Sequence, residues 1–118
     1  MPFEKELDEL EKKRARALEM GGSEKVKKQH DKGKLTARER IDHLLDPDSF
    51  LEVGMFNHSE VPGMEEKTPA DSKIAGYGKV DGRQVAVVSN DFTVLAATSS
   101  RVAGRKEGEL KVLAAHRG

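Results

Sequence analysis

The chain has 118 residues, of which 36% are apolar and 36% charged, a balance that suits one domain with a modest core. Lys and Arg total 21, as do Asp and Glu, so overall charge gives no drive toward nucleic acid. The absence of Cys excludes a disulfide scaffold, a thiolate zinc site and a Cys nucleophile, and no run approaches the roughly 18 apolar residues of a membrane span.

In chain order, the start Met1-Pro2-Phe3-Glu4 lacks the basic-then-apolar pattern of a signal peptide, so a cytoplasmic protein is expected. A first helix follows. Phe3, Leu7, Leu10, Ala17 and Leu18 fall near one face, with Asp8/Lys12 and Glu9/Lys13 in favourable i,i+4 order. Gly21-Gly22 ends it. A second, very polar helix runs from Ser23 to Lys32 and stops at Gly33. Val26 is its one sizeable aliphatic, so it needs outside support. Thr36-Ala37-Arg38-Glu39 is a capping box opening a third helix, whose expected apolar face is Ile41, Leu44 and Leu45. Asp46-Pro47-Asp48 closes it, because the residue before Pro is pushed out of the α region.

The period then changes. Phe50 to Met55 reads as a short strand, and Asn57 to Ser72 as a long polar loop. Lys73 to Val80 and Arg83 to Ser89 read as a hairpin joined by a type I′ turn at Asp81-Gly82. Val85, Val87 and Val88 predict a mostly buried second strand. Asn90 to Leu95 leads out of the sheet, and a last helix is expected from about Ser99 to Ala115 with Val102, Leu110 and Leu113 as its apolar residues. Gly104 and Gly108 weaken that helix.

Charge is uneven along the chain. Lys25 to Arg40 carries net +5, Glu52 to Asp71 net −4, and Arg101 to Arg117 net +3, counting Lys and Arg against Asp and Glu. Solvated helix faces commonly explain such runs, and a site for a phosphorylated ligand is the sharper reading. His30, His43, His58 and His116 share no H-x-x-x-H or H-E-x-x-H spacing, so no metal is expected. Gly76-Tyr77-Gly78 lacks the third glycine of a dinucleotide loop and lies within a strand, where a bend or close backbone approach is the expectation. No G-x-S-x-G or Walker loop occurs. Ser89, Asp91, Ser99 and Ser100 cluster without an adjacent base, and Asn90-Asp91 reads as a polar turn. The nearly all-polar second helix argues against a helix-turn-helix around Thr36 to Asp46. From spacing alone, no catalytic constellation emerges.

Two stretches are more specific. Gly33 to Phe50, GKLTARERIDHLLDPDSF, closely resembles the N-terminal signature of the acyl-CoA carboxyltransferase family, which includes the β subunits of propionyl-CoA and methylcrotonyl-CoA carboxylases. Gly76 to Val94, GYGKVDGRQVAVVSNDFTV, resembles the family's segment leading to D-F-T-V. The resemblance covers about Leu10 to Val94 in order and spacing.

The resemblance implies an α/β chain: an N-terminal helical arm over residues 1–48, followed over residues 49–118 by the opening strands of an incomplete crotonase-like unit, a ββα superhelix. It implies an N-terminal part of a biotin-dependent subunit that transfers carboxyl between carboxybiotin and an acyl-CoA, inactive by itself. In the family, backbone N–H pairs stabilise the enolate and the biotin ureido oxyanion. Those oxyanion-hole segments are absent from this chain, so no catalytic residue is assigned to it. Coenzyme A thioester and carboxybiotin are the implied substrates, with no covalently bound cofactor. The implied partners are acyl-CoA, biotin carrier and biotin carboxylase subunits, and further copies in a homo-oligomer.

Acyl-CoA contacts are expected at Phe92, Thr93, Val94, Ala96 and Ala97, with Arg101, Arg105 and Lys106 as phosphate-binding cations. Ala96-Ala97 stands where the family usually has Gly-Gly, and its methyls would narrow a close backbone approach. Ala103 stands where the family often has His. Arg38 and Arg40 are expected to hold the arm to the sheet or to a neighbouring subunit. An alternative reading is a non-catalytic oligomerisation or subunit-binding module.

Overall fold

A computed structural model describes residues 2–58, 62–63, 67–94 and 101–117, without the side chains of Asp71 and of residues 101–103. The elements in order are α1 (Glu4–Leu18), α2 (Ser23–Asp31), α3 (Ala37–Leu44), β1 (Leu51–Val53), a 3-10 turn (Pro69–Ser72), β2 (Lys73–Val80), β3 (Arg83–Asn90) and α4 (Arg101–Arg117).

The three strands form one antiparallel sheet in the order β1-β2-β3. Leu51 stands opposite Tyr77, Ile74 opposite Ser89, and Val80 opposite Arg83. Asp81 and Gly82 take φ of 51° and 79°, the two left-handed positions of the expected I′ turn. β1 is shorter than its predicted span because Gly54 turns the backbone to φ 66°.

Successive residues of a strand point to opposite faces, and β2 uses both. Ile74 joins Ala37, Ile41, Leu45 and Ala70 in the core, with Phe50, Val80, Val85 and Val87 packed around it. On the other face Lys73 pairs with Glu107 of α4 at 3.0 Å. The central strand β2 is therefore the buried one, and β3 is only half-buried, contrary to the expectation from its valines. An edge position leaves β3 partly in water whatever its composition. Gly76 and Gly78 mark close approaches, as expected. A Cβ at Gly78 would strike Leu45, and one at Gly76 would strike the Leu51 carbonyl.

α3 forms as predicted. Thr36 Oγ1 accepts from Glu39 N–H at 3.2 Å, and Glu39 Oε1 accepts from Thr36 N–H at 2.9 Å. Ala37, Ile41 and Leu45 lie four residues apart and share the buried stripe. Leu44 lies off that stripe and is exposed, a correction to the predicted face.

α1 departs further from expectation. Of the predicted apolar face of α1, Ala17 is buried, whereas Phe3, Leu7 and Leu18 are exposed. Amphipathic spacing gives the helix an apolar side but supplies no surface to cover it. The loop before β2 is not polar throughout, since Thr68, Pro69, Ala70 and Ser72 are buried beneath α1 and α4. α4 runs to Arg117 and passes through Gly104 and Gly108 without a break. Both glycines are exposed, so neither has a packing role to lose. The predicted start at Ser99 lies outside the described residues.

Candidate functional site

The segment leaving β3 is held at Asp91, Thr93 and Val94. Asp91 N–H donates to the Ser72 carbonyl at 2.8 Å. Asp91 Oδ1 accepts from Thr93 N–H at 3.0 Å and from the Thr93 hydroxyl at 2.5 Å. Val94 N–H donates back to the Asp91 carbonyl at 3.2 Å. The Thr93 hydroxyl also accepts from Gly21 N–H, 72 residues earlier, at 2.9 Å.

Asp91, Thr93 and Val94 are buried, whereas Phe92 between them is 58% exposed. Burial pushes the Asp91 carboxyl above the usual range. The Thr93 hydrogen bonds and the Arg38 charge oppose that rise. Its second oxygen, Oδ2, has no hydrogen-bond partner, nor does Arg38 Nε. Asn90-Asp91 is thus more than a polar turn, since it ties β3 to the buried 3-10 turn.

The expected cations take different roles. Arg105 is exposed and pairs with Glu109 through Nε at 2.9 Å. Lys106 turns inward instead, and its Nζ donates to the carbonyls of Ala70 at 2.7 Å and Lys73 at 2.6 Å. The reason lies in the turn. Ala70 and Ser72 take φ of 54° and 61°, an uncommon conformation for residues with a Cβ, and the buried carbonyls there need donors. Lys106 supplies them, which places it otherwise than a phosphate contact. Beside it, the ammonium groups of Lys111 and Lys73 hold the Glu107 carboxyl below its ordinary range. Ala96 and Ala97 lie outside the described residues, as does the side chain of Arg101.

Arg105, Lys106, Leu110 and Leu113 of α4 line one side of a groove of about 460 Å³, with Val53 and Tyr77 of the sheet opposite. Phe92 to Val94 are not in its lining. A second groove of about 450 Å³ runs between α1 and the residues after β1, with Lys12, Lys13, Arg16 and His58 beside Met55 and Phe56. The signal for it was the run Lys12-Lys13-Arg14-Ala15-Arg16, which the segment charges above did not include. Among the described residues no three His, Asp or Glu side chains converge as metal ligands.

The signature residues do structural work. Arg38 forms a two-pronged pair with Glu52 of β1, at 2.6 and 3.1 Å, and so joins α3 to the sheet. Arg40 is exposed. Asp46 accepts from the N–H groups of Asp81 and Gly82 at 2.9 and 2.8 Å, which pins the hairpin turn. Glu39 of the capping box also meets His30 Nε2 at 2.5 Å, tying α2 to α3. That interaction and the Thr36 bonds lower its carboxyl to about 2.

Comparison with known proteins decides the family, since the carboxyl transferase domain matches residues 28–117. The chain belongs to the carboxyl transferase family. It is 48% identical over 111 residues to the propionyl-CoA carboxylase carboxyltransferase subunit of Haloferax mediterranei, covering 90% of this chain and 21% of that protein. It is 43% identical over 111 residues to the biotin-dependent acetyl-/propionyl-coenzyme A carboxylase beta5 subunit of Mycobacterium tuberculosis, covering 92% and 20%.

Among solved structures, this carboxyl transferase chain resembles transcarboxylase 12S, a hexamer crystallised with hydrolysed methylmalonyl-coenzyme A. The TM-score is 0.84 at 36% identity, over 91% of this chain and 22% of that one. A single-chain, multi-domain long-chain acyl-CoA carboxylase matches with a TM-score of 0.87 at 35% identity, over 94% of this chain and 12% of that one. The chain therefore spans about a fifth of the length of the curated relatives it matches. Among the described residues no helix is long and apolar enough to cross a membrane.

Proposed function

We propose that this chain forms the N-terminal part of the carboxyltransferase subunit of a biotin-dependent acyl-CoA carboxylase. Residues 1–48 act as a helical arm, and residues 49–118 open a crotonase-like ββα unit. The subunit transfers carboxyl between carboxybiotin and an acyl-CoA, and the 118 residues alone do not. The observation that carries this reading is the match of the family domain to residues 28–117, in company with the transcarboxylase likeness.

On this reading acyl-CoA lies beside Phe92, Thr93 and Val94 and continues past Ala96 and Ala97. Phe92 offers an aromatic surface, and Arg101 and Arg105 offer cations for the phosphates. Lys106 shapes the site indirectly by fastening α4 to the 3-10 turn. The carboxyl donor reaches the acyl group on a biotin carrier charged by a biotin carboxylase subunit, in an oligomer of several copies, in the cytoplasm.

Titration of the 118-residue chain with coenzyme A, followed by amide chemical shifts, tests the site. Shifts at Phe92 to Val94 and Arg105 are expected, and their absence at millimolar coenzyme A overturns the assignment. Carboxyl transfer from carboxybiotin to propionyl-CoA by the chain alone would overturn its dependence on further segments.

One observation favours a second reading, a subunit-binding module. Phe3, Leu7 and Leu18 leave much of the apolar side of α1 open to water. Sedimentation equilibrium separates the readings, since a discrete folded oligomer without coenzyme A affinity supports the module.

A further inference from the structure

The adjacent glycines at the end of α1 do different work. Gly22 takes φ of 100° and a Cβ there would meet open space, so its glycine serves backbone conformation. Gly21 has no such φ. A Cβ on Gly21 would overlap the Thr93 carbonyl, so its glycine serves close approach. The contact is polar as well as close, since Gly21 N–H donates to Thr93 Oγ1 at 2.9 Å. The same hydroxyl donates to Asp91 Oδ1 at 2.5 Å. No apolar side chain of similar size both accepts from the arm and donates to Asp91.

The consequence falls on Phe92. Its neighbours Asp91, Thr93 and Val94 are buried, and its ring is not. Two contacts from outside the segment hold the backbone on either side of that ring. Asp91 N–H to Ser72 fixes one end, and Gly21 grips Thr93 just past the ring.

We propose that Gly21 and Thr93 are positioning residues through which the helical arm sets the presentation of Phe92; that Phe92 then contacts acyl-CoA rests on the function proposed above. The arm contributes to the ligand site without touching the ligand. Displacing the end of α1 from Thr93 leaves α3 and the core it forms with the sheet in place and changes the pose of Phe92.

Four forms of the 118-residue chain test this by amide hydrogen exchange, chemical shifts and coenzyme A titration: wild type, Thr93→Val, Thr93→Ser and Gly21→Ala. In wild type the Gly21 amide is protected. Thr93→Val accelerates its exchange by about tenfold or more, the scale of one lost hydrogen bond, and moves the Phe92 amide resonance. Coenzyme A affinity at Phe92 falls by about fivefold in the same variant. Thr93→Ser keeps the hydroxyl and restores all three readouts, which a purely steric role for Thr93 would not do. Gly21→Ala reproduces the Phe92 shift with the hydroxyl intact and serves if Thr93→Val does not fold.

The proposal is overturned if both disruptive variants leave the Phe92 resonance at its wild-type position. It is also overturned if Thr93→Ser behaves like Thr93→Val. If the resonance moves and is restored by Ser, yet wild type binds no coenzyme A, the positioning contact stands and the acyl-CoA reading falls.

Discussion

α1 and α3 are both amphipathic helices of the first 48 residues, and they are anchored very differently. α1 has 15 residues and buries Ala17. α3 has eight and buries Ala37 and Ile41, carries a complete capping box, and leads into the buried Leu45. α3 also sends Arg38 to Glu52 of β1. Helix length and periodicity therefore say little about how firmly a helix is held. What matters is whether its apolar stripe and its charges find a fixed partner, and for α3 the sheet supplies both.

The contrast can be broken at several points. Ile41→Ala should cost about 2–5 kcal/mol in urea unfolding, since it empties a fully enclosed site against Ile74 and Ala70. Arg38→Ala should cost about 2 kcal/mol, below the figure for a fully buried pair because both side chains keep some exposure. Adding Glu52→Gln should recover part of that loss, as the stranded carboxylate is then neutral. Thr36→Ala should cost about 1 kcal/mol through the lost cap.

Two carboxyls should leave opposite marks on the pH profile. Glu39 titrates near 2 in the folded chain against an ordinary 4.5, so its contribution is present above pH 4.5 and is lost as pH falls toward 2. Glu39→Gln should flatten that acid limb in thermal unfolding. Asp91 is raised from 3.8, so the folded state holds its proton longer than the unfolded one. Its effect on stability therefore declines as pH rises from 3.8 through the folded value, and Asp91→Asn should remove that decline.

The smallest effect belongs to α1. Leu7→Ala should change stability by no more than about 0.5 kcal/mol, because Leu7 is 54% exposed and leaves no cavity. A large loss there would mean that the face is covered in solution.

Much of this molecule was legible before folding. The capping box, the I′ turn and the close-approach glycines are local devices. Thr36 and Glu39 are three residues apart, and Asp81-Gly82 needs only its own dihedral angles. The family signature was legible for the same reason, as a contiguous run. Its physical meaning was not. Asp46 reads as a helix end, yet its carboxylate holds a turn 35 and 36 residues away.

The candidate site divides in the same way. Resemblance singled out Phe92, Thr93 and Val94 as candidates, but their unequal burial was not legible. Lys106 looked like its neighbour Arg105, since both are cations on one helix. One turns in and the other out, because two buried carbonyls lie on the inner side.

By itself, then, the sequence determined the order of helices and strands, the α3 cap, the hairpin turn and the family, because these depend on groups a few bonds or one helical turn apart. Only the tertiary structure decided which strand is central, which helix face is covered, where Lys106 points and that Gly21 meets Thr93. Those outcomes depend on which surfaces come together when water is excluded, and no residue carries that information alone.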